Sequence, residues 1–192
     1  MLPYNFVFLS IIASGFAYFY YLRSMLRGET KPNLVSWFLW VLAPFIAVFF
    51  QLKAGAGLAT FPVFMAGFGP LLVIIFALYK RNSYWKATTF DYVCGAFSLL
   101  ALIFYVITHN LGFSIIFAII SDFLAFFPVA KKTWIHPETE NPAPYITGTF
   151  NGALSLLVIT NWSFVVASYG VFLVLVNISQ VVIIYRKKIF KM

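Results

Sequence analysis

Charge is what this sequence has least of. Of its 192 residues only 9% are charged, while 62% are hydrophobic; soluble domains carry about 25% charged residues. That shortage excludes a globular domain on a single anchor and points to an integral membrane protein. The one cysteine, Cys94, excludes an internal disulfide framework, and its apolar neighbours make it a small packing residue. Two histidines, His109 and His136, stand far apart and lack metal-ligand spacing, so no zinc site and no cofactor are expected. No Lys or Arg precedes the first apolar run, so no cleavable signal is expected either. The net charge of +8 does not imply nucleic acid. The basic residues sit at the ends of apolar runs, where anionic headgroups are the natural partner.

Apolar runs are what the chain has in abundance. Stretches of about 20 residues, the length that crosses a bilayer, occur at 4–22, 34–52, 58–79, 89–108, 111–130, 146–167 and 169–185. Seven transmembrane helices leave only short connections, the tightest near His109–Asn110 and Ser168. Basic residues collect on the cytoplasmic side of membrane proteins. With the N-terminus outside, 12 of the 13 Lys and Arg residues fall inside and Lys53 alone falls outside. The expected fold is therefore all-α, N-outside and C-inside.

The segments after the first and fifth spans are alike. Glu29-Thr30-Lys31-Pro32-Asn33 and Thr139-Glu140-Asn141-Pro142-Ala143-Pro144 are both Pro-containing cytoplasmic connections. The third and seventh spans end alike, in Tyr79-Lys80-Arg81 and Tyr185-Arg186-Lys187. Two three-helix repeats, 1–86 with its following loop and 111–192, would then flank a linker helix at 87–110. An odd linker gives the two repeats the same direction, as parallel three-helix bundles. Chance likeness of two Pro loops is the alternative.

This three-plus-one-plus-three plan resembles the SWEET sugar transporters and their PQ-loop relatives, and the PnuC vitamin transporters. Phe127-Pro128-Val129-Ala130-Lys131-Lys132-Thr133-Trp134 looks like the PQ-loop signature, with Val129 in place of its Gln. Asn177, followed by Gln180 and Tyr185, looks like the substrate-binding Asn of the last SWEET helix. Trp37-Phe38-Leu39-Trp40 is similar to the W-x-x-W element of PnuC. The third span has Gly67-Phe68-Gly69-Pro70 and no counterpart of Asn177, and the first has Tyr18 or a neighbour where a Pro would stand. The resemblance implies transport by alternating access.

Asp122 lies near the middle of the fifth span. A carboxylate at the bilayer centre costs roughly 2.5–3.5 kcal/mol, and such residues face a bundle interior or a wet cavity. Ser114, Ala118, Ser121, Asp122 and Ala125 form a small or polar stripe at helical spacing, with Phe113, Phe117, Ile120, Phe123, Leu124 and Phe127 around the rest. The stripe predicts that Asp122 points into the bundle, to line a solute path and take part in proton coupling or only to bond a neighbouring helix. Asn177 lies at similar depth with Gln180 one turn on, as solute ligands or as glue between helices. Trp37, Trp40, Pro44 and Ala47 share one face of the second span. The indoles could stack on a solute ring or belong to an interfacial aromatic belt. Thr147, Asn151, Ser155 and Trp162 share one side of the sixth. Pro44, Pro70 and Pro128 lie within spans as candidate hinges, or as kinks without motion. The loop around His136, Glu138 and Glu140 reads as a solvated connection.

The expected function is a membrane carrier for a small polar solute such as a sugar, amino acid or vitamin-like ring, in a lipid bilayer. Asp122, Asn177, Asn151, Trp37 and Trp40 are the candidate substrate-binding residues. An Asp without an evident basic partner favours proton coupling, cation coupling or a cationic solute over an anion. A seven-helix receptor or scaffold is the alternative, although the short outer loops leave little ligand surface. Enzyme chemistry is not expected, since no second Asp shares the depth of Asp122 and no Ser/His or His/Glu cluster occurs. A bacterial inner membrane suits the small size, and a homo-oligomer is compatible with the sequence.

Overall fold

The computed structural model describes residues 4–53, 55–80, 84–108, 110–159 and 162–189. Arg81, His109 and Lys191 lie outside the described residues, as does the side chain of Lys53. The described chain is all-helical. Its helices are α1 (Leu9–Leu26), α2 (Leu34–Lys53), α3 (Phe61–Tyr79), α4 (Thr89–Ile107), α5 (Leu111–Ile135), α6 (Ala143–Val158) and α7 (Phe164–Ile189). Short 3-10 turns occupy Tyr4–Phe8, Gly57–Thr60 and Pro137–Thr139.

Local signals set several helix ends. A helix start leaves backbone N–H groups without partners, and polar side chains supply them. The N–H of Thr88 donates to Asp91 Oδ2 at 2.6 Å in a capping box that opens α4. Asn110 Oδ1 accepts from the N–H groups of Gly112 and Phe113 at 2.9 and 3.3 Å and opens α5. Pro62 and Pro144 sit in the first turns of α3 and α6, where a missing N–H costs nothing. Arg23, Lys132 and the Arg186–Lys188 run occupy the last turns of α1, α5 and α7, against the negative end of each helix dipole.

Four helical stretches are long and apolar enough to cross a membrane: Phe61–Tyr79, Thr89–Ile107, Gly112–Ile135 and Phe164–Ile189. Leu34–Phe49 is apolar but shorter. The exterior is apolar as well, with Phe16, Phe19, Leu78, Phe97, Phe113 and Leu175 all more than half exposed. A soluble monomer does not present such continuous apolar surface, whereas a protein wrapped in lipid does.

The sixth helix departs from its expected span. It stops at Val158, and Ser168, where the turn is expected, lies inside α7. Residues 162 and 163 precede α7, and the Ser163 carbonyl accepts from the N–H groups of Val166 and Ala167 at 3.1 and 3.0 Å. Beyond them, Gly170 lets α7 lie against α6, since a Cβ there would come within 2.7 Å of Ser155 Oγ. The close approach favours unbroken helix through Ser168. Trp162 accordingly leaves the helical wall proposed for it and stands 61% exposed.

The helices pack in a consistent order. α3 contacts both α1 and α2, and α7 contacts both α5 and α6. No comparable contact joins α1 to α2 or α5 to α6 among the described residues. Across the two triplets, α1 meets α6 and α2 meets α5, and α3 also meets α6. α4 packs on α5 and α2. The small stripe of α5 faces inward as its spacing predicts: Ser114, Ala118, Ser121, Asp122 and Ala125 are buried, and Phe113, Ile120, Phe123 and Phe127 are exposed. Ser98 Oγ of α4 donates to the Ser121 carbonyl at 2.7 Å, tying that face to α4.

Candidate functional site

A cavity of about 70 Å³ lies between the triplets. One water needs roughly 10–15 Å³ by the same measure, so there is room for several waters or a small solute. Tyr18 comes from α1, Trp37, Trp40 and Pro44 from α2, and Pro70 from α3. Asp122 comes from α5, Thr147 and Asn151 from α6, and Asn177 from α7. Among the described residues, α4 contributes none to the lining.

All five candidate binding residues, Asp122, Asn177, Asn151, Trp37 and Trp40, meet at this one void. So do Pro44 and Pro70, each inside a continuous helix. Pro128 is buried in α5 away from the lining. Gln180 also parts from its neighbour Asn177. It is fully buried and donates through Nε2 to Thr133 Oγ1 at 2.7 Å. Its role is to fasten α7 to α5, helped by the Arg186 guanidinium, which donates to the carbonyls of Thr133 and Trp134 and lies over the Trp134 ring. Ser155 bonds the Gly152 carbonyl at 2.7 Å instead of facing the void.

Asp122 is 4% exposed. Its Oδ2 accepts from the Tyr169 hydroxyl at 2.5 Å, and its Oδ1 has no protein partner. Tyr169 was not singled out from the sequence, yet Tyr169, Leu173 and Asn177 follow one another at four-residue spacing on α7 and share a face. That spacing is the signal that could have found it. Asn151 donates through Nδ2 to Ser14 Oγ of α1 at 3.1 Å, leaving Oδ1 without a protein partner. Asn177 donates to the Leu173 carbonyl at 2.8 Å.

Two glycines make the lining possible. A Cβ on Gly148 would meet the Asn177 amide at 2.5 Å. A Cβ on Gly69 would collide with the Tyr18 ring. Those bare helix surfaces admit the two polar side chains to the void.

The aromatic residues form a connected wall. Trp37 is 1% exposed, so it is enclosed by protein and not part of a lipid-facing belt. Its ring lies 6.5 Å from Tyr18, 4.9 Å from Tyr21 and 5.6 Å from Trp40. Trp40 in turn lies 6.4 Å from Tyr145. Tyr145 was another residue that no spacing marked in advance.

Beside this wall the loop residues depart from a solvated connection. Lys132 Nζ pairs with Glu140 Oε2 and donates to the Lys31 carbonyl at 2.7 Å. The Tyr21 hydroxyl donates to Glu140 Oε1 at 3.1 Å, and the Lys31 N–H to the Thr139 carbonyl at 3.0 Å. The connection after α1 is thereby stitched to the connection after α5. His136 and Glu138, 3.4 Å apart, are exposed as expected. Glu138 is held below the usual carboxylate range by its own backbone N–H and by His136.

Compared with protein-family models, with curated proteins and with solved structures, the chain matches none.

Proposed function

We propose that this protein is a carrier that moves a small polar solute across a membrane by alternating access. The observation that carries this reading is the position of the cavity: three helices on each side line it, and α4 does not. On this reading α1–α3 and α5–α7 are parallel three-helix bundles, residues 87–110 form the linker, and all seven helices span the bilayer with the N-terminus outside. The packing order supports the repeat. The third helix of each triplet contacts the other two, and the reciprocal pairs α1–α6 and α2–α5 are what a two-fold exchange of bundles requires. The likeness to SWEET, PQ-loop and PnuC carriers belongs to this reading.

A carbonyl, hydroxyl or amine on the solute would satisfy the polar atoms that the bundles leave exposed to the void. The Lys132–Glu140 stitch would close the cytoplasmic side, and Pro44, Pro70 and Pro128 would absorb the rocking of the bundles. Asp122, shared with Tyr169, would couple solute movement to a proton. Solute must bind the inward- and outward-open states with different affinity for the cycle to turn.

Flux in proteoliposomes tests the proposal. Solutes are screened under an imposed pH gradient with the purified chain and with Asp122→Asn. Saturable flux that loses its response to the gradient in Asp122→Asn is the expected result. No flux of any solute, together with capture of a stoichiometric membrane partner, would favour the receptor or scaffold reading.

A further inference from the structure

Among the described residues the cavity lining holds no Lys, Arg or His, and Asp122 carries its one carboxyl group. Its rings are set at steep angles in succession. Tyr18 and Trp37 are inclined by 80°, Trp37 and Trp40 by 72°, and Trp40 and Tyr145 by 79°. A neutral ring is held best between parallel faces. These are edge-to-face contacts of the rings with one another; an aromatic edge is positive and repels a cation, whereas a π face turned to the void attracts one.

Four polar atoms of the lining residues have no hydrogen-bond partner: Asp122 Oδ1, Asn151 Oδ1, Trp37 Nε1 and the Tyr145 hydroxyl. Their residues are 4%, 3%, 1% and 4% exposed. Two are acceptors, the indole is a donor and the hydroxyl can be either. A buried polar group left unpaired costs the protein its full desolvation, so these atoms call for partners in the void, and a solute with N–H groups to give and an oxygen to receive supplies them.

We propose that the cavity binds a small protonated amine carrying a neutral oxygen function. The inference rests on the reading of this void as a solute site and adds the chemical class. The ammonium charge is met by Asp122 and by the box of Tyr18, Trp37, Trp40 and Tyr145. Its N–H groups face the carboxylate and the Asn151 carbonyl, and the solute oxygen accepts from the Trp37 indole. A carboxylate or phosphate solute is excluded, because the lining offers no cation to meet it.

Tryptophan fluorescence of the full chain in lipid nanodiscs tests this with ethanolamine, choline, glycerol and acetate as probes. Ethanolamine should give a saturable change, choline a weaker one because it lacks the N–H groups, and glycerol and acetate none at matched concentration. Asp122→Asn should weaken ethanolamine at least tenfold, and thermal unfolding shows whether that variant retains its fold. The comparison among probes on the unaltered protein stands even if it does not. Glycerol binding as well as ethanolamine, or no ethanolamine response, overturns the inference. The two proposals fail separately. Ethanolamine binding without flux would sink the carrier, and flux of a neutral sugar without amine binding would sink the amine.

Discussion

Lys132 and Glu140 form an ion pair of 2.5 Å whose side chains are 1% and 0% exposed. Such a pair is costly to desolvate, and further bonds from Tyr21 to the carboxylate and from the ammonium to the Lys31 carbonyl offset part of that cost. Removing one partner leaves an uncompensated buried charge. Glu140→Met and Lys132→Met should each lower stability by about 3–5 kcal/mol, and the double variant should lose less than either. Chemical unfolding in detergent measures the three. A double variant that loses the sum of the single losses would show that the two charges are not coupled.

Gly148→Ala should act on both the site and the fold. The added Cβ forces the Asn177 amide aside, at an overpacking cost of about 1–3 kcal/mol. Solute affinity should fall by roughly tenfold, about 1.4 kcal/mol. Gly15→Ala is the control. Nothing lies within 4 Å of its new methyl, so affinity should not change and stability should rise by about 0.5–1 kcal/mol from helix propensity. Paired binding and melting curves check both.

Asn177 and Gln180 sit one turn apart and should fail differently. Asn177→Ala should reduce solute flux while the melting temperature holds. Gln180→Leu removes the bond to Thr133 and leaves that hydroxyl its bond to the Val129 carbonyl. It should change stability by about 1 kcal/mol and leave solute affinity unchanged. An equal loss of affinity in both variants would mean that Gln180 reaches solute after all.

Tyr169→Phe takes the donor from Asp122 Oδ2. The unpaired carboxylate oxygen should cost about 1–3 kcal/mol of stability. Flux should persist with a shifted pH profile, because the acid remains while its partner is gone. A profile identical to that of the unaltered protein would remove Asp122 from the proton path.

Much of the candidate site was legible in the sequence because helical spacing is a local property. The stripe on α5 placed Asp122 inward, and spacing put Trp37, Trp40 and Pro44 on one face of α2, while the fold decided that this face meets the void and not lipid. Other positions carried no such mark. Tyr145 and Tyr18 close the aromatic wall only because α6 and α1 meet α2 and α3 at particular heights. Glu140 read as a loop acid until Lys132 was found folded under it. Ser168 read as a turn until Gly170 brought α7 against α6.

Composition determined that the chain is apolar enough for a membrane, since 9% charged residues cannot solvate a surface of this size, and the length of its apolar runs pointed to helices. Periodicity alone determined which face of α5 is hidden. Tertiary structure decided what each hidden polar group does. Tyr169 with Asp122 and Gln180 with Thr133 are both pairs 47 residues apart on the same two helices, yet one borders the void and the other bolts the helices together. The difference lies in how α2 and α6 close around α5 and α7, and packing between distant helices leaves no trace in local spacing.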